Sequence, residues 1–338
     1  MTKVVVIGGG TGSHTLLSGL KKYPFDLTSI VTVADSGGST GRLRDEFGSL
    51  PVGDFRMALT ALAPTDEEAE ILRKLFLYRF DKGEEGLKGH NFGNLFLVAL
   101  GNILGSYEKA IQYTSKILRV TGKVLPITSQ PVNLVAEYED GTTLYGEANI
   151  DEPPKDHNGK QRIKKLWVEP DSVITADASY EILNADYVIL GPGDLYTSLL
   201  ANVVVSGTAV AIRKSRGIFI YVSNLMTKYV QTYGFSVRDH INELEKYIDR
   251  TPDYVLLDDS EFPKDVLKRY EAEDAYVVKD DLGKKEDFEI ARASVLAKEE
   301  FVKNSGDLIK RSLLRHDPDK LAWEVVKIIK EHDLSVSI

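Results

Sequence analysis

Val4-Val5-Val6-Ile7-Gly8-Gly9-Gly10-Thr11-Gly12-Ser13 decides the fold class of this chain. Four consecutive apolar residues run straight into a turn almost without side chains, and helical periodicity resumes at Thr15 to Lys22. An uninterrupted apolar strand, buried on both faces and followed by a glycine turn and a helix, marks a parallel α/β protein. A second apolar stretch, Ser29 to Ala34, completes the expected βαβ unit and ends at Asp35. Two more glycine turns follow closely, Ser36-Gly37-Gly38-Ser39-Thr40-Gly41 and Pro51-Val52-Gly53-Asp54. Where Cβ atoms are missing, backbone N–H groups can crowd around phosphate oxygens, and a helix N-terminus behind them adds favourable partial charge. Three such turns so close together point to a nucleotide or nucleotide-sugar pocket.

Beyond this unit, helices are expected over 54–63, 66–81 with Thr65 as N-cap, and 91–118. From 122 to 173 the period shortens to that of strands, at 125–128, 133–138, 143–148 and 164–168, with an Asp140-Gly141 hairpin signal. This stretch reads as a β-rich insertion within a single domain spanning 1–338. Parallel α/β then resumes with strands at 187–190, 219–223, 254–257 and 275–278, a capping box at Ser236 to Asp239, and a closing helix at 318–331. The fold expected is a Rossmann-like, mostly parallel sheet flanked by helices, with its loops converging on the carboxyl edge of the strands.

Composition narrows the function classes. The 338 residues include no cysteine, which removes disulfides, thiolate metal sites and thiol nucleophiles and agrees with a cytoplasmic location. No apolar run reaches the roughly 20 residues of a membrane span. A formal net charge of −9 disfavours nucleic acid as a partner. Local cations nevertheless stand where phosphates would want them, with Arg42 and Arg44 after the second glycine turn and Arg56 after the third.

Several motifs carry chemistry. The first turn nearly fits the dinucleotide fingerprint, but the second glycine loop follows Asp35 directly, where an adenosine ribose would lie. No Lys-Ser/Thr pair completes a P-loop. Gly37-Gly38-Ser39-Thr40-Gly41 matches the nucleophile-elbow pattern, yet the charged Arg42-Leu43-Arg44-Asp45-Glu46 behind it disfavours a hydrolase. Ser36, Ser39 and Thr40 then read as phosphate or metal-shell hydroxyls, and Asp35 as a ligand for Mg2+, the one cofactor for which the sequence offers a candidate. Gly89-His90-Asn91-Phe92-Gly93-Asn94 exceeds what a helix cap needs, so Asn91 and Asn94 join the candidate site. Gly191-Pro192-Gly193-Asp194 and Asn224-Leu225-Met226-Thr227 each leave a strand towards the same cleft, adding Gly193, Asp194, Asn224 and Thr227. The phosphates are expected against Gly9, Gly10, Thr11, Gly12 and the 36–41 loop. His157, His240 and His332 read as surface residues.

Taken together, these six motifs in this order resemble the YvcK-type gluconeogenesis factor family, which is related to the 2-phospho-L-lactate transferase of deazaflavin cofactor synthesis. The resemblance spans the chain from its first strand to its last helix. It implies binding of UDP-sugars such as UDP-N-acetylglucosamine, regulation of carbon metabolism and cell shape, and regulatory protein partners, and it leaves a homodimer open. By the same resemblance Tyr270 stacks on the uracil and Arg315 bridges the diphosphate. Family members often carry Asp-Asp-Gly-Gly where this chain has Asp35-Ser36-Gly37-Gly38. The rival expectation is a Mg2+-dependent transferase acting on a nucleotide-activated phospholactate-like or sugar substrate.

Overall fold

A computed structural model describes residues 1–47, 49–80, 86–298 and 312–332. Seven strands form one sheet: β1 (Lys3–Gly8), β2 (Asp26–Val31), β3 (Lys123–Pro126), β7 (Tyr187–Leu190), β8 (Ile218–Val222), β9 (Tyr254–Asp258) and β10 (Glu289–Ala293). Their order is β10-β9-β8-β7-β1-β2-β3, and every neighbouring pair is parallel. The chain winds outward from β1 through β2 to β3, returns to the centre, and winds the other way from β7 to β10. Val4, Val6, Ile7 and all of β7 are buried, because central strands of such a sheet are covered by helices on both faces.

A small antiparallel sheet, β5-β4-β6, lies in the crossover between β3 and β7 and comprises β4 (Asn133–Tyr138), β5 (Thr143–Tyr145) and β6 (Ile163–Glu169). The strand expected at 125–128 is β3 itself, which pairs with β2 at the edge of the main sheet. The strand expected at 143–148 stops at Tyr145, and Glu147–Asp151 coils into a short helix. Helix Gly10–Leu20 packs between Gly53–Leu62 and the closing helix Pro318–His332.

Other boundaries moved for identifiable reasons. β2 begins three residues earlier than expected because its polar residues Thr28 and Ser29 are buried within the sheet, where they interrupt the apolar pattern. The helix expected over 91–118 is two helices, Phe92–Leu104 and Tyr107–Ile117. Gly105 turns left-handed at φ 63° and Ser106 caps the second helix, accepting from Lys109 N at 3.3 Å. Asp66, not Thr65, caps Glu67–Leu77, accepting from Ala69 N at 3.0 Å. Residues 275–278 make only an isolated bridge, Met226 to Val277, whereas β10 escaped notice because its alternating charges read as loop. His240 is fully buried, with Nδ1 2.8 Å from Ser236 O, and His157 is half-buried with its ring edge-on to Tyr138 at 4.4 Å. Only His332 is exposed as expected.

Candidate functional site

Winding that reverses direction leaves a crevice between the carboxyl ends of β1 and β7, the place where open α/β sheets bind ligands. The first glycine turn forms one lip. Gly9 is the extended N-cap of helix Gly10–Leu20, and Gly10 turns left-handed at φ 63°, a conformation that disfavours any side chain. The opposite lip is Gly191 to Asp194, which leads into a π-helical turn at Leu195–Leu200. The lips touch at Gly12: a Cβ there would collide with the Pro192 carbonyl oxygen and lie 2.6 Å from its carbon. A cavity of about 480 Å³ opens from this junction.

The segment after β8 forms the third wall. Asn224 donates from Nδ2 to Gly193 O at 2.8 Å and accepts from the Tyr221 hydroxyl at 3.3 Å, so it braces the second lip. Thr227 is clasped to Tyr276, accepting from its N–H at 2.9 Å through Oγ1 and donating its own N–H to the carbonyl at 2.6 Å. Residues 312–316 close the far side. Tyr270 reaches the cavity wall but is only 8% exposed, its ring packed in a small apolar cluster with Leu225, Val266, Leu296 and Leu314. Its hydroxyl accepts from Leu313 N at 2.9 Å and Leu314 N at 3.1 Å. Tyr270 therefore suspends the segment carrying Arg315, which also lines the cavity. In this arrangement the ring is packing surface rather than a free stacking face.

Charge on the walls is mostly negative. Asp35 and Asp54 stand beside the first lip, where the bare glycines leave them room: a Cβ on Gly9 would lie 3.2 Å from Asp54 Cγ, and one on Gly53 would lie 3.0 Å from Asp35 Oδ2. Glu147 and Asp151 face the cavity one helical turn apart on Glu147–Asp151. Lys228 Nζ joins Asp151 Oδ1 at 2.6 Å and Asp194 Oδ2 at 2.8 Å, tying the insert's helix to the second lip. Asp151 Oδ1 also accepts from Gln231 Nε2 at 2.6 Å and Thr197 Oγ1 at 3.1 Å. Burial, then the charges of Asp35 and Asp151, hold the Glu147 carboxyl well above its ordinary range. Burial also raises Asp151, against the pull of Lys228.

Asp35 accepts from Gly37 N at 2.9 Å through Oδ1, so it caps its own turn as well as facing the cavity. Among the described residues no three carboxylates or imidazoles converge as a ready-made metal site. Mg2+ commonly takes one or two carboxylates and completes its shell with phosphate oxygens and water. Asp35 and Asp54, flanking a phosphate-sized turn, fit that donor set.

Of the expected site residues, Gly9, Gly10, Thr11, Gly12, Asp35, Gly193, Asp194, Asn224, Thr227, Tyr270 and Arg315 line this cavity. The others do not reach its wall. Ser39, Thr40, Asn91, Asn94 and Arg56 are buried together: Arg56 Nε donates to Asn94 Oδ1 at 2.8 Å, and Asn94 Nδ2 donates to Ser39 Oγ at 3.4 Å and Thr40 Oγ1 at 3.5 Å. His90 Nδ1 lies 3.2 Å from Ser39 Oγ, and Asn91 caps its helix, accepting from Asn94 N at 3.3 Å. These bonds tie helices Gly38–Phe47 and Gly53–Leu62 to the start of Phe92–Leu104. Arg42 points outward and donates to Lys88 O at 3.2 Å. Ser36 accepts from Ala148 N at 3.0 Å and donates its N–H to Glu147 Oε2 at 3.3 Å, which docks the insert's helix on the second loop. Gly37 follows that contact directly, and Gly38 is the first residue of helix Gly38–Phe47.

Sequence reasoning passed over Asp54, Glu147, Asp151, Thr197, Lys228 and His316 as site residues. The four-residue spacing of Glu147 and Asp151 is a helical signal, but it was hidden inside a segment whose period reads as strand. Lys228, Thr197 and His316 carry no local signal, because distant segments supply their partners.

This architecture, a doubly wound parallel sheet with a polar cavity at its switch point, is that of the Rossmann-like α/β proteins. The chain belongs to the CofD family: the family model for 2-phospho-L-lactate transferase CofD matches residues 4–302. It is 40% identical to a putative gluconeogenesis factor of Thermotoga maritima over 331 residues, covering 96% of this chain and 99% of that protein. To the gluconeogenesis factor of Bacillus subtilis it is 37% identical over 331 residues, covering 97% and 98%. A crystal structure of a UPF0052 family protein from Bacillus halodurans superposes with a TM-score of 0.84 at 34% identity, covering 96% of this chain and 98% of the other. These relatives match the family that the six motifs resemble.

Proposed function

We propose that this protein binds a nucleotide-sugar of the UDP-N-acetylglucosamine type in the switch-point cavity and acts as a regulator of carbon metabolism, supporting gluconeogenic growth and cell shape. The observation that carries this reading is the convergence of Gly9 to Gly12, Gly193, Asn224 and Arg315 on one cavity of about 480 Å³. That volume lies within the range of small-ligand sites, about 300–1,000 Å³. Backbone amides at a helix N-terminus suit a diphosphate, and Arg315 supplies a geometrically matched cation. The names of the relatives from Thermotoga maritima and Bacillus subtilis support the link to gluconeogenesis. On this reading the chain works as one cytoplasmic unit, with the 122–173 insertion lending Glu147 and Asp151 to the cavity.

A second reading is favoured by Asp35 and Asp54 beside the first lip and by the family match to a transferase. Mg2+ held there would neutralise diphosphate charge, while the chain's own residues would orient the nucleotide through the glycine amides and Arg315. Titration calorimetry against UDP-N-acetylglucosamine, GDP and NAD, each with and without Mg2+, tests both. Tight binding of the UDP-sugar supports the regulator. Preference for GDP with a strict Mg2+ requirement supports the transferase, and binding of NAD alone overturns both. Mass spectrometry for released UDP then separates a sensor from an enzyme.

A further inference from the structure

Helix Glu67–Leu77 is apolar on the side where a surface helix is normally polar. Ala69 and Phe76 are buried and Leu72 packs on the core, so these residues define its inner face. The opposite side carries Ile71, 64% exposed, and Leu75, 40% exposed, and is continued by Tyr78, the exposed C-cap residue. The intervals of four and three residues are those of a coiled-coil seam, which scattered surface hydrophobics do not keep. The neighbouring helix Phe92–Leu104 has no charged residue, yet its Ile103 is 79% exposed. Its first turns pack on Phe76, with ring centroids 6.0 Å away at Phe92 and 5.1 Å away at Phe96. A helix apolar nearly all round belongs in an interior, and here part of that interior is missing.

Charge along the same segment points to what covers it. Asp66, Glu67, Glu68 and Glu70 crowd the first turns of the helix, whereas Arg73, Lys74 and Arg79 follow in and after its second half. A parallel copy of the helix would set acid against acid and base against base. An antiparallel copy sets the acidic turns of each over the basic end of the other, and such complementarity fixes register. A two-fold axis supplies this match automatically, while an unrelated partner would need the reversed sequence of charges by chance. We propose that a second copy of this chain docks here, helix Glu67–Leu77 lying antiparallel against its equivalent in an isologous dimer. With Ile71 over the partner's Leu75, Glu67 falls opposite the partner's Arg79 and Glu68 opposite the partner's Tyr78, so the seam is apolar at its centre and polar at its ends. The proposal is independent of what the cavity binds.

Sedimentation equilibrium of the full chain across the micromolar range should show a dimer. Ile71→Asp should raise its dissociation constant about thirtyfold or more, the order expected when a central anchor is lost from an interface. Helix content by circular dichroism should stay unaltered, because Ile71 is mostly exposed within its own chain. Cross-linking tests the arrangement separately. The chain has no cysteine, so engineered ones report without background. When Ile71→Cys and Leu75→Cys proteins are mixed and oxidised, the mixed disulfide should form faster than either self-pair, since the antiparallel register sets position 71 against 75. A wild-type chain that stays monomeric throughout the range overturns the proposal. So does a dimer that Ile71→Asp leaves intact, which places the interface elsewhere, and so do disulfides that favour the 71–71 and 75–75 pairs.

Discussion

Replacing Lys228 with methionine keeps the length and apolar stem of the side chain and removes only the charge that joins Asp151 to Asp194. These two carboxylates belong to different parts of the molecule, the insert's helix and the second lip. Without Lys228 they face each other as like charges. For a fully buried pair, losing one partner costs about 3–5 kcal/mol, and for an exposed one about 0–1 kcal/mol. The side chains here are 32% exposed for Lys228, 23% for Asp151 and 40% for Asp194, which places the site between those limits, near 2 kcal/mol after solvent screening. Unfolding entropy of about 2.1 cal/mol/K per residue, taken over the whole chain, converts this to a drop of about 3 °C in melting temperature. Asp151 already titrates above its ordinary value in the folded protein, so it favours folding at acid pH and that contribution is lost as pH rises through its folded pKa. Removing Lys228 raises it further. The stability gap between wild type and variant should consequently be widest at neutral pH and close on acidification, as both proteins protonate Asp151. Urea denaturation at several pH values measures this. An unchanged midpoint at pH 7, or a gap indifferent to pH, would refute the role given to Lys228.

Glu147→Gln should raise the melting temperature at neutral pH, since a carboxyl held above its ordinary value costs stability progressively as pH rises from its unfolded towards its folded value; below the unfolded value the two proteins should melt together. Tyr270→Phe strips the acceptor from two backbone N–H groups, with an expected cost of about 1–3 kcal/mol and faster amide exchange at Leu313 and Leu314. Nucleotide affinity should fall with it, as the Arg315 segment loosens. Gly10→Val should weaken nucleotide binding and, because φ is 63° there, also cost about 1–3 kcal/mol of stability by differential scanning calorimetry. Gly12→Ala should force the two lips apart, since the added carbon would lie 2.6 Å from Pro192 C; lower thermal stability with unaltered helix content by circular dichroism is expected.

The place of the first glycine turn on the cavity wall was legible because its pattern is local. Gly9, Gly10 and Gly12 adjoin an apolar strand and a helix start, and that pattern needs no information from elsewhere in the chain. Asn91 and Asn94 show the limit of such reasoning. Their clustering with His90 and Gly93 led to a site role in the sequence reading, but sequence cannot tell a polar group facing a ligand from one facing Ser39, Thr40 and Arg56. Tyr270 shows the same limit from the other side: the residue lines the cavity, but its hydroxyl works on the backbone of Leu313 and Leu314 while its ring is buried.

The sequence by itself determined the parallel α/β class, the glycine lips, and the family, since runs of apolar residues and bare turns act through the few residues on either side. Tertiary structure alone decided which polar residues face the cavity. Glu147, Asp151, Lys228 and His316 acquire their character from burial and from partners supplied by other segments, as when Lys228 meets Asp151 across 77 positions of chain. Desolvation and ion pairing depend on distance in space, which chain order does not encode locally.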